Sequence, residues 1–71
     1  MDQSKKETVH RVQKALLASS ISDLRELRVE HAEDALHLHG HVSCFYHMQL
    51  AQETARSIAG DLAVVNSIAV R

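Results

Sequence analysis

Residues 26–42 read ELRVEHAEDALHLHGHV, and this stretch decides the fold. Leu27 and Val29 alternate with Glu26, Arg28 and Glu30. Past a polar tip, Leu36, Leu38 and Val42 alternate with His37, His39 and His41. Alternation of period two on both sides of a short polar segment is a β-hairpin pattern. With HAED as the turn and Glu33-Asp34 as a two-residue tip, paired positions sum to 67. Val29 then faces Leu38, Glu30 faces His37, Arg28 faces His39 and Glu26 faces His41. Apolar meets apolar and polar meets polar, as a sheet with one buried face requires, and a slip of one residue destroys the match.

Working outward, the segment before the hairpin reads as a helix. Ser4 and Glu7 have capping-box spacing. Val9, Val12, Ala15 and Leu16 follow at three- and four-residue intervals and form one apolar stripe. Ser19 and Ser20 end this helix, and ISDLRE reads as a loop or irregular turn. After the hairpin a second helix spans residues 45–59, with Ala51, Thr54, Ala55 and Ile58 on its core side and Gly60 as a left-handed stop. The closing VVNSIAV is a strand, with Ile68 and Val70 facing inward and Ser67, Ala69 and Arg71 outward. The expected architecture is an α+β, αββαβ two-layer sandwich: two helices on one face of a three-stranded mixed sheet, forming one domain over residues 1–71.

Composition narrows the function. Eight Lys+Arg stand against nine Asp+Glu, a net charge of −1 with neutral histidines, so there is no general attraction to polyanions. The charge is uneven: residues 1–25 carry five bases and three acids, and residues 26–71 three bases and six acids. Lys5, Lys6, Arg11 and Lys14 place a basic patch on the first helix. The single Cys44 excludes an internal disulfide and a multi-cysteine zinc site. There is no phosphate-binding or dinucleotide fingerprint and no nucleophile motif, so neither catalysis nor a cofactor is expected. Nucleic acid is disfavoured too, because RNA-binding sheets expose aromatic side chains, whereas Phe45 and Tyr46 fall at the start of the second helix and Glu26 and Glu30 on the open face. No run is long enough for a membrane span. The opening MDQSKKETVH lacks the apolar core of a secretory signal, which reads as a cytoplasmic protein or a domain excised from a longer one. The mostly polar open face implies a monomer.

The histidines at 37, 39 and 41 pose a separate question. Same-face residues on a strand are ~6.6 Å apart, so three in a row span ~13 Å and do not converge. Two of them with a cross-strand carboxylate, His37, His39 and Glu30, are the weak candidates for a metal; the simpler reading is a solvated strand face. Protonation of all six histidines near pH 5 carries the net charge from −1 to +5, which suits a surface that binds anionic membranes only in acid. Vesicle binding that stays flat with pH removes that idea.

The elements in order, LRVEH, ALHLHGHVS, LAQETARSIAG and VVNSIAV, resemble the BON domain family, named for a bacterial osmotic-shock protein and nodulation proteins. Leu27 and Val29 match its first strand, Leu38, Gly40 and Val42 its L-x-G-x-V, Ala51, Ala55 and Ile58 its helix, Gly60 its glycine, and Val65, Asn66, Ile68 and Val70 its ending. The chain departs from the family at Asp61, at the glycine-free turn, at Thr54 and at His31, where an apolar residue is usual. The resemblance implies the αββαβ fold, no catalysis, and an accessory module of the bacterial envelope that binds phospholipid or other proteins, in many members in the periplasm. Gly40, Gly60 and Asn66 are then structural. The candidate contacts are Lys5, Lys6, Arg11 and Lys14 for lipid, and Phe45, Tyr46 and Met48 for lipid or a protein partner.

Overall fold

The computed structural model describes residues 3–71, with side chains from residue 6 onward. The order is α1 (Gln3–Leu17), α2 (Ser22–Arg25), β1 (Arg28–Ala32), β2 (Ala35–Val42), α3 (Phe45–Ala59) and β3 (Ala63–Val70). The sheet order is β1-β2-β3, with β1 antiparallel and β3 parallel to β2. This is an α+β fold with the helices packed on a three-stranded mixed sheet.

The hairpin register is the one the alternation demands: Arg28 opposite His39, Val29 opposite Leu38, Glu30 opposite His37. Glu33 and Asp34 both take positive φ, 53° and 62°. Two left-handed residues are what a tight two-residue hairpin turn needs, because only that hand matches strand twist. The expected Glu26–His41 pair does not form. The ladder begins at Arg28, and Glu26 caps the short helix α2 instead.

The core lies between the helices and one sheet face. Leu27, Val29, Leu36, Leu38, Val42 and Ile68 meet Val12 and Leu16 of α1 and Ala51, Ala55 and Ala59 of α3. Each fully buried leucine here contributes roughly 2 kcal/mol of apolar transfer. The alanines recur at every fourth position and let α3 sit close against its neighbours α1 and β3.

Four local expectations need correction. The ISDLRE segment contains one helical turn, α2, whose Leu24 is buried. Ser4 lies within α1, which already includes Gln3, and not at its cap; its side chain and that of Lys5 lie outside the described residues. Thr54 is half-buried and spends its hydroxyl on the Leu50 carbonyl at 2.9 Å, so Ala59, not Thr54, completes the buried stripe. Val70 shares the inward parity of Ile68 but is exposed, because it lies at the end of an edge strand with a neighbour on one side only.

Candidate binding surfaces

Both sheet edges are closed by side-chain amides. On β1, the Gln13 amide nitrogen of α1 donates to the Leu27 carbonyl at 2.9 Å, and its oxygen accepts from the Val29 amide at 3.0 Å. On β3, the Arg71 amide donates to the Val42 carbonyl at 2.9 Å, so the backbone amides of odd residues point toward β2 and those of even residues toward the open edge. The outward amide of Ile68 donates to Asn66 Oδ1 at 2.9 Å, and Asn66 Nδ2 donates to Gln52 Oε1 at 3.0 Å. Asn66 therefore blunts an edge that would otherwise pair with another chain.

The two glycines also act structurally. Gly40 has φ +131°, and a Cβ there would stand 2.9 Å from Leu27 Cδ2. Gly60 has φ 64° as expected of a helix stop, but its ψ of −120° lies outside the left-handed helical region.

The histidines lie on the open face, as alternation requires. His37 and His39 stack at 6.1 Å with planes 9° apart, and His39 Nε2 is 3.3 Å from Glu30 Oε1. Glu30 thus reaches diagonally past its direct partner His37, within the range of long side chains on a twisted sheet. Parallel rings do not turn their nitrogens toward a shared point, and His37 Nε2 has no protein hydrogen-bond partner. Among the described residues, no group of three or more His, Cys, Asp or Glu could hold a metal ion.

A cluster not visible in the sequence joins α2 to the start of α3. Asp23 Oδ2 accepts from the Ser43 amide at 2.8 Å and the Ser43 hydroxyl at 2.7 Å, and it lies 2.8 Å from His47 Nδ1. The Ser43 hydroxyl, then His47 and the Ser43 amide, hold the Asp23 carboxyl well below the usual carboxylate range. Although Asp, Ser and His meet here, the carboxylate sits between the other two. Activating a serine requires the imidazole on the hydroxyl, so the arrangement braces the loop and does not make a nucleophile. No spacing rule links residues 23, 43 and 47, and the sequence carried no signal for them.

The residues proposed for binding spread over two regions. Lys6, Arg11 and Lys14 are all exposed on α1. At about 100° per residue, Lys14 falls between the other two, about 80° from Lys6 and about 60° from Arg11, so the three bases spread over more than a third of the helix circumference. Phe45 and Tyr46 are 69% and 64% exposed. Met48 is half-buried against the core and lines a shallow groove of about 330 Å³ with Phe45, Gln49, Gln52, Glu53 and Arg56. Among the described residues, no helix is long and apolar enough to cross a membrane. In comparisons with known proteins, no family model matches the chain and no curated protein matches it significantly.

Proposed function

We propose that this chain is a non-catalytic, BON-like binding module that associates with the surface of phospholipid membranes. The observation that carries the reading is the architecture. The order α, hairpin, α, parallel strand, with Gly40 at the close approach of Leu27 and Asn66 inside the last strand, matches the pattern on which the resemblance rests, with α2 as an added turn. Exposed Phe45 and Tyr46 and the exposed bases of α1 supply the two attractions, apolar and electrostatic, that interfacial binding combines.

A second reading, a protein-interaction module, is favoured by the groove along α3 from Phe45 to Arg56. Co-sedimentation separates the two. The lipid reading requires binding to vesicles containing phosphatidylglycerol, loss of most of it at high salt, and little binding to phosphatidylcholine alone. No binding to either vesicle overturns the lipid reading.

A further inference from the structure

The chain's ends and turns sort into two unlike poles. Asp23 reaches Ser43 and His47, so α2 abuts the start of α3. The Arg71 amide donates to the Val42 carbonyl, so β2 and β3 finish side by side. Four residues separate α1 from α2, and two separate α2 from β1. One pole therefore gathers the end of α1, all of α2, the start of α3 and the ends of β2 and β3.

Among the described residues, this pole holds four of the five large hydrophobic side chains that are exposed: Leu17 at 53%, Phe45, Tyr46 and Val70 at 41%. The fifth, Val65, is the third residue of β3, nearer the strand's start. The same pole carries Lys14, Arg25, Arg28 and Arg71, all exposed, against Glu26 and the hydrogen-bonded Asp23. The opposite pole has the hairpin tip Glu33-Asp34 and Asp61, against Lys6 and Arg56. The fold thus gathers bases that lie 57 residues apart in the chain, from Lys14 to Arg71, and sends acids to the far end.

We propose that the α2 pole is the surface that docks on an anionic phospholipid bilayer. Leu17, Phe45, Tyr46 and Val70 enter the boundary between headgroups and acyl chains, and the surrounding bases meet the lipid phosphates. The acidic pole is repelled and faces away, which fixes the orientation. Charge complementarity selects an anionic bilayer as the occupant, and the isolated apolar tips suit a soft interface. The inference rests on the lipid-surface reading above and adds the face and the pose.

The chain supplies its own reporter, since Tyr46 is the single tyrosine and there is no tryptophan. Tyr46 fluorescence is followed as phosphatidylglycerol vesicles with brominated acyl chains are added. Quenching is expected, and none with phosphatidylcholine vesicles. Phe45→Ser lowers the partition coefficient roughly tenfold. Lys14→Gln/Arg71→Gln lowers it roughly thirtyfold, at about one contact to the surface per base. The control Asp61→Asn, at the other pole, changes it less than threefold. All these positions are exposed, and circular dichroism checks that each variant folds. If the wild type does not bind anionic vesicles, the lipid reading itself fails. If it binds with Tyr46 unquenched, or Lys14→Gln/Arg71→Gln changes the partition coefficient no more than Asp61→Asn does, the lipid reading stands and this docking face is overturned.

Discussion

The Gln13 side chain bridges the outer edge of β1, accepting from the Val29 amide at 3.0 Å while donating to the Leu27 carbonyl at 2.9 Å. A helix residue thereby supplies the hydrogen bonds that a fourth strand would otherwise make. Gln13→Ala removes both and leaves two part-buried backbone groups unpaired, a cost of about 2 kcal/mol. Urea unfolding measures it. The same variant opens the edge, so light scattering is expected to detect concentration-dependent association absent from the wild type.

Gly40 and Gly60 respond differently to a side chain. Gly40→Ala forces a left-handed residue and drives its Cβ into Leu27, which costs about 3 kcal/mol. Gly60→Ala meets nothing within 4 Å and carries backbone strain alone, about 1–2 kcal/mol. Equal unfolding midpoints for the two variants contradict the close approach of Leu27.

The hairpin turn is held by residues that fit it poorly. Glu33 and Asp34 both adopt positive φ, where Asn and Gly are favoured. Glu33→Asn/Asp34→Gly is expected to stabilise the fold by about 1 kcal/mol with no change of register. A thermal melt reads the gain, and the cross-strand contacts of Val29 with Leu38 verify the register.

Asp23 makes stability pH-dependent in a definite direction. Its folded carboxyl titrates below the ordinary 3.8, so the folded state binds fewer protons than the unfolded one near that pH. The stabilisation is complete above the ordinary value and is lost as pH falls toward the folded one. Wild type therefore loses more stability than Asp23→Asn between about pH 5 and about pH 2.5, in matched denaturant titrations. Parallel losses in the two proteins refute the assignment.

Much of the fold is legible in the sequence because its elements are strongly periodic. Hairpin register follows from two alternating runs around Glu33-Asp34, and the bounds of α3 follow from its apolar face and Gly60. The single turn of α2 is too short to show a period, so it reads as loop. The exposure of Val70 depends on strand order and not on parity, and strand order is not written locally. For the candidate surfaces the limits are sharper. Alternation places His37 and His39 on the open face but not their stacking. Asp23, Ser43 and His47 come together only through the packing of α2 on α3. Dividing the charge at residue 25 draws attention to the four bases on α1, whereas the fold collects Arg28 and Arg71 at the same pole as Lys14 and Arg25.

Docking of the α2 pole on an anionic bilayer can be read residue by residue in an NMR titration of the chain with bicelles containing phosphatidylglycerol near neutral pH. Shifts are expected at Leu17, Arg25, Phe45, Tyr46 and Val70 that reverse with added salt, with Glu33, Asp34 and Asp61 unmoved. No shifts at any residue, or shifts centred on the open face at His37, His39 and His41, would contradict that docking.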